Sequence, residues 1–493
     1  MHIDNLKKIA LEKIFYSTFL CFFALSGCIV GPNYRKTFFT VPGAWTQYSA
    51  QTSERPVALA GWWRRLNDPI LNQLMSDAIA GNNDVSTAKA RIREARATLG
   101  QTVGRLAPNI SGSISGTRNS EHSDAFLSHY NGGFSASWEL DFFGGNKRAV
   151  EAARYGLEGA IENMRAVMVT LLGDVATNYI EMRGWQKKLL ITRHIAALQR
   201  KTFELIRAKL IAGDASELDL SNARAQMANT EANVSQMEVH LAMSIHRLSV
   251  LTGRVPAALE TLSLKSAKEA KIPQPQWPIP AGIPADILLT RPDLRRAERQ
   301  YAQATARVGQ READRYPSLS LTGNISTSAT EIGQLGKSST IGWSFGPSLR
   351  FPFFNGGQLA ASVAVARAQR DQAFIAYRAA VLEALEDVEN ALVRLAKERQ
   401  RLAKLTTADS AYSRSLKLSR DLFEGGNTSF LELLNADRSY YSSQMTLTDS
   451  RVALATYYVT LMKALGGGWD GAVDVSRSEI ANGDSRQHMR VGQ

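Results

Sequence analysis

Glycine and proline are missing from Gln358 to Glu424, a run of 67 residues. Nothing in that run breaks a helix or supplies a left-handed turn, so a series of short elements is excluded there. Cysteine is almost absent, with only Cys21 and Cys28, both near the N-terminus. The seven histidines are His2, His122, His129, His194, His240, His246 and His488. None makes an HExxH pair, and His240 and His246 stand six apart, off one helical face, so no metal site or cofactor is expected. Gly466-Gly467-Gly468 lacks the lysine and following helix of a phosphate-binding loop. Gly342-Trp343-Ser344-Phe345-Gly346 has the spacing of a nucleophile elbow, but Ser344 falls mid-run in a predicted strand. An enzyme is not expected. The formal charge of +12 raises nucleic acid as a partner. Basic and acidic residues alternate, however, as in Arg394, Lys397, Glu398 and Arg399, and no basic block is interleaved with aromatics. Nucleic-acid binding is therefore not expected.

What the long run does contain is a seam. Phe374, Tyr377, Val381, Leu385, Val388, Leu392, Leu395, Leu402 and Leu405 recur at steps of mostly three and four. That spacing predicts a helix packed lengthwise on other helices. At 1.5 Å per residue it would be roughly 100 Å long. Gly425-Gly426 follows, and then a second stretch, Asn427 to Leu465, free of glycine and proline.

The pattern occurs twice. Asp84, Gly100, Gln101 and Pro108 match Asp293, Gly309, Gln310 and Pro317 at one offset. Phe142-Phe143, Gly144-Gly145, Gly213 and Asn222 match Phe353-Phe354, Gly356-Gly357, Gly426 and Asn435 with a drift of four residues. The chain is thus read as a duplicated unit of helix, two strands, long helix, turn and helix. The first repeat is 61–255, with strands near 109–118 and 131–141 and helices near 147–212 and 214–252. A Pro-rich connector, 256–284, precedes the second repeat, 285–465. Its strands are near 318–327 and 341–351, and its helices near 358–424 and 427–465. Residues 466–493 form a C-terminal tail.

The strands alternate apolar with small polar residues. Ile110, Gly112 and Ile114 alternate with Ser111, Ser113 and Ser115. Phe134, Ala136 and Trp138 alternate with Ser135 and Ser137, and Leu319, Leu321 and Ile325 with Ser320, Thr322 and Asn324. Ile341, Trp343 and Phe345 alternate with Gly342, Ser344 and Gly346. Runs of about ten residues with this pattern indicate membrane-barrel strands, one face to lipid and one to a lumen. Four strands cannot close a barrel, and lipid forbids open edges. Copies of the chain must complete it, as a dimer or a trimer.

The first 27 residues are read as a signal peptide, with Lys7, Lys8 and Lys13 ahead of a short apolar core, Ile14 to Leu25. Leu25-Ser26-Gly27-Cys28 resembles the lipobox of bacterial lipoproteins, which implies cleavage before Cys28 and its lipidation. Ile29 in place of an aspartate implies outer-membrane sorting. Cys21 would leave with the signal, and residues 28–60 would form a lipidated arm. These landmarks, with Gly31-Pro32-Asn33-Tyr34, Trp62-Trp63, Asp68-Pro69, Arg291-Pro292-Asp293 and Gly466-Gly467-Gly468-Trp469, resemble the TolC-like outer membrane factors of tripartite efflux pumps. The likeness is to their NodT-type lipoprotein branch, partners of resistance–nodulation–division (RND) pumps, and it covers nearly all the mature chain.

The resemblance implies a mainly α fold with membrane β structure. Four strands per chain complete a trimeric transmembrane barrel, continuous with a long helical barrel across the periplasm. It implies a homotrimer in the outer membrane that works with a periplasmic adaptor and an inner-membrane RND pump. The function implied is a passive exit duct for drugs or other small molecules. An alternative is the outer-membrane channel of an ATP-driven type I protein-secretion system, and a third is a periplasmic coiled-coil lipoprotein without a pore. The resemblance also puts a gate at the periplasmic turns Gly213, Gly425 and Gly426. Asp219, Glu432 and Phe423 stand at its gating positions, while Thr428 and Asn435 replace an arginine and an aspartate. Asp219 and Glu432 could form an acidic ring, as in cation-selective pores. They could equally be solvated acids that favour helix N-termini.

Overall fold

The computed structural model describes residues 29–37, 39–40, 42–46, 59–120, 126–260, 270–277, 279 and 291–469. The signal segment, Cys28, most of the connector and the tail after Trp469 lie outside the described residues. Its elements are α1 (Pro69–Gly81), α2 (Asn83–Gly104), β1 (Asn109–Ser120), β2 (Phe126–Leu140), α3 (Gly145–Ala212) and α4 (Glu217–Leu251), followed by α5 (Pro292–Ala313), β3 (Ser318–Ala329), β4 (Ile341–Arg350), α6 (Gln358–Glu424) and α7 (Phe430–Ala464). The chain is mainly helical with one four-stranded sheet. It divides into two compact units.

One unit comprises residues up to Phe38, Arg91–Ile161 and Arg296–Ala379, and holds the sheet. The strands run in the order β1-β2-β3-β4, all neighbours antiparallel. The central β2–β3 ladder joins the two sequence repeats. Its register aligns side chains by kind, because a slip of one residue would exchange the faces. Gly112, Phe134, Ile325 and Trp343 form one cross-strand row, and Ser111, Ser135, Asn324 and Ser344 form the next. The apolar row is bare: Phe134, Ile325 and Trp343 are all exposed. The polar row bonds within itself, with Ser111 Oγ and Ser135 Oγ 2.8 Å apart.

β2 starts at Phe126, not near 131. Asn131, Gly132 and Gly133 stay in the ladder opposite Ser115, Ile114 and Ser113. The glycine pair is held extended by two neighbours. Ser344 lies within β4 opposite Asn324, away from any strand-to-helix turn.

The other unit comprises Phe39–Ala90, Glu162–Arg295 and the chain from Ala380. Its core forms around Trp62, Leu71, Leu172, Tyr179 and Tyr458. The Tyr458 hydroxyl donates to the Trp62 carbonyl at 3.0 Å. Asp68 caps α1, accepting from the Ile70 and Leu71 amides, with Pro69 at the first helical position. The second Asp68 oxygen accepts from the Tyr179 hydroxyl at 2.9 Å, tying α1 to α3. Arg291 donates to Asp293, to Asp387 and to the Ala464 carbonyl. Burial works against both charges, and the Arg291 hydrogen bond and charge outweigh it at Asp293, whose carboxyl ends below its usual range.

Candidate functional site

The two hairpin turns, α3–α4 and α6–α7, are built alike. At the first, Gly213 has φ 85°, its amide donates to the Leu210 carbonyl, and the Asp214 amide to Lys209. At the second, Gly426 has φ 74°, its amide donates to Phe423, and the Asn427 amide to Leu422. Each is a Schellman stop, in which a left-handed residue lets two amides satisfy the last carbonyls of the helix. Only glycine adopts that conformation without cost. Gly425 carries no positive φ, and its amide continues the helix to Asp421.

Both returning helices begin with a serine cap, which is why they start at Glu217 and Phe430 rather than at 214 and 427. The Ser216 hydroxyl accepts from the Asp219 amide, and the Asp219 carboxylate accepts from the Ser216 amide (3.2 Å) and hydroxyl (2.7 Å). The Ser429 hydroxyl accepts from the Glu432 amide at 3.3 Å, and the Glu432 carboxylate accepts from the Thr428 hydroxyl. The two acids are thus held at the third position of their helices, one turn from the N-terminal dipole end. Thr428, half-buried, serves Glu432, and Asn435 is exposed on α7.

Phe423 lies elsewhere. It is 7% exposed in an apolar cluster with Ile206, Ala223, Leu416, Phe430, Leu433 and Leu434. Its ring centroid is 6.0 Å from that of Phe430. Lys209 sits over the same ring, with Nζ 4.5 Å from the ring centroid and donating to the Phe423 carbonyl at 3.3 Å. The cluster draws from both hairpins. The structure therefore separates the sequence-derived gate residues into two sets: the capped acids with Thr428 at the turns, and Phe423 in the packing beneath.

Two features escaped sequence reading. Asp437 is buried, accepts from Gln199 Nε2 at 2.6 Å, and has its carboxyl raised by burial, against the lowering effects of Gln199, Arg420 and Arg438. Its position in α7 follows the apolar Leu433-Leu434 pair by a helical turn, which was the available signal. The second is a bare apolar set at the turns: Ile211 (81% exposed), Leu218 (69%) and Leu431 (58%).

The comparisons with known proteins agree in kind. The profile of the outer membrane efflux protein family matches residues 74–254 and 283–467. Nodulation protein T of Rhizobium leguminosarum bv. trifolii is 33% identical over 462 residues, covering 92% of this chain and 97% of the relative. The cation efflux system protein CusC of Escherichia coli O6:H1 is 30% identical over 457 residues, covering 90% of this chain and 97% of the relative. Among solved structures, the outer-membrane channel OprN superposes with a TM-score of 0.82 at 31% identity, covering 90% of this chain and 100% of that one. The open state of the Neisseria gonorrhoeae MtrE outer membrane channel gives 0.79 at 28%, covering 90% and 99%.

Proposed function

This chain belongs to the outer membrane efflux protein family and is a non-catalytic outer membrane channel, and we propose that it is the passive exit duct of a tripartite RND-type pump for drugs or other small molecules. A homotrimer closes the barrel, and Cys28 carries the lipid that adds an anchor. The repeats 61–255 and 285–465 supply two strands and two long helices each, the helices lining a tunnel through the periplasm. The observation that carries this reading is the sheet. One row is apolar and bare, the next row is small and polar, and β1 and β4 are the outer strands. In lipid the ladder groups of such outer strands need partners, which neighbouring copies provide.

The hairpin turns are the periplasmic gate. Repeated around a trimer, the capped acids Asp219 and Glu432 form an acidic ring at its mouth, beside Thr428 and Asn435. Phe423 holds the hairpins together beneath. Gly213 and Gly426 let the helices reverse there, Gly425 carries α6 up to its turn, and Ile211, Leu218 and Leu431 offer an adaptor an apolar seat. Opening loosens the packing between hairpins. Energy comes from the inner-membrane pump.

Single-channel recording of the purified protein in planar bilayers tests the proposal. Discrete conductance steps are expected. A folded oligomer giving none, even with the gate packing loosened by mutation, would sink it.

A further inference from the structure

The first described residues after Cys28 do not hang free. They lie in a groove between the foot of β2, the first turn of α3, and α5. The Val30 amide donates to the Phe143 carbonyl at 3.2 Å. Arg148, 3% exposed, then spends its guanidinium on the arm: Nε donates to the Val30 carbonyl (3.2 Å), and Nη2 to the Gly31 carbonyl (3.2 Å) and the Asn33 Oδ1 (2.7 Å). Nη1 takes Glu151 at 2.7 Å. Gly31 has φ 87°, and a Cβ there would overlap the backbone of Gly309 in α5. The Tyr34 ring packs edge-on against Tyr155 and Tyr301, and its hydroxyl donates to buried Glu298 at 2.7 Å. Burial, and then Glu298, push the Tyr34 phenol upward, so it remains a donor.

The energetics favour occupancy. Without the arm, the Arg148 guanidinium would lose three of its four acceptors, and Glu298 would lose its 2.7 Å donor and keep only Arg299 at 3.7 Å among the described residues. Hydrogen bonds to charged groups are worth more than neutral ones, so this set of contacts favours the seated arm. The groove also selects its occupant by shape. It needs a residue without a side chain immediately after Val30, where the backbones of Gly31 and Gly309 meet, and a phenol three residues further on.

We propose that residues 29–34 bind this groove as a non-covalent strap seated by Arg148. The strap couples the N-terminal anchor directly to the foot of β2 and α3, independently of the chain that follows. The anchoring part rests on the reading that Cys28 is acylated. Consecutive Cα atoms lie about 3.8 Å apart, so an acyl group on Cys28 leaves the body one residue from the groove. The Ile29 side chain lies over Gly144, the residue just before α3. Arg148 is on this view a positioning residue: it holds the anchor beside the barrel strand instead of letting it range on a leash.

The test severs the leash and asks whether the strap stays. A sequence-specific protease site is inserted after the exposed Lys36, and the full-length lipidated oligomer is immobilised by its C-terminus, cleaved, and washed with detergent. The N-terminal fragment is followed by mass spectrometry. Its mass reports whether Cys28 is acylated, which separates failure of that reading from failure of the strap. The fragment is expected to remain on the wild-type body and to leave Arg148→Ala at least tenfold faster. Should Arg148→Ala fail to assemble, the double variant Asn33→Ala, Tyr34→Phe removes partners from the arm side alone, and faster release is again expected. Equal loss from wild type and variant would overturn the strap, because the micelle alone would then account for retention.

Discussion

Gln199 on α3 donates to the buried carboxylate of Asp437 on α7 at 2.6 Å, joining the two hairpins just beneath their turns. Burial raises the Asp437 carboxyl; Gln199, Arg420 and Arg438 work against that shift without cancelling it. The folded state therefore binds its proton more tightly than the unfolded chain, where an aspartate titrates near 3.9. The resulting stabilisation is complete below that value and disappears as pH rises through the folded value. Hydrogen exchange of amides around Phe430 and Leu434 should slow as pH falls from neutral toward 4, after correction for intrinsic rates. Asp437→Asn should flatten that dependence and protect these amides at neutral pH. An unchanged pH profile in the variant would remove Asp437 from the account.

The turn glycines separate cleanly. Gly426 has the left-handed backbone and Gly425 does not. Gly426→Ala should cost about 1–2 kcal/mol, the penalty for an L-residue in that region. Gly425→Ala should be neutral or stabilising, since it continues a helix. Chemical denaturation of the two variants under identical conditions distinguishes them, and equal effects would contradict the turn assignment.

Asp219 and Glu432 serve as capping residues, so alanine at either confounds charge with stability. The double variant Asp219→Asn, Glu432→Gln keeps hydrogen-bonding groups in place and removes both charges. It should fold with little loss of stability and lose cation preference in reversal-potential measurements across a salt gradient. Preference equal to wild type would mean that the acids cap their helices and nothing more.

Phe423 is buried beneath the turns in contact with Phe430 and Lys209. Phe423→Ala should cost about 3–5 kcal/mol, the usual range for emptying a packed aromatic site. Because the cost falls on the cluster that holds the hairpins together, open-channel time in planar bilayers should rise. Loss of stability with closed-channel behaviour unchanged would show that this cluster does not restrain the gate.

Much of the architecture was legible because it is periodic. The three-four seam from Phe374 to Leu405 and the alternation from Phe134 to Trp138 are local patterns, and each names its element before any tertiary contact forms. The start of β2 shows the limit. Phe126 to Tyr130 do not alternate, and pairing with Gly116 to Ser120 on β1 is what makes them strand. At the turns, residue types marked Asp219 and Glu432 as acids near helix starts, but their tie to Ser216, Ser429 and Thr428 is a matter of geometry. Phe423 could be placed beside the turn by counting; its burial required the second hairpin.

By itself the sequence determined the mainly helical class, the unbroken helix from Gln358 to Glu424, and the four alternating strands. These depend on neighbours a few residues apart, where spacing dictates face and glycine or proline dictates breaks. The tertiary structure decided which residues from distant segments meet: Gln199 with Asp437, Lys209 with Phe423, and Arg148 with the arm from Val30 to Asn33. Such pairs carry no local signal, because a buried polar side chain is tolerated only where the fold brings it a partner, and that partner is chosen by packing between helices far apart in the chain.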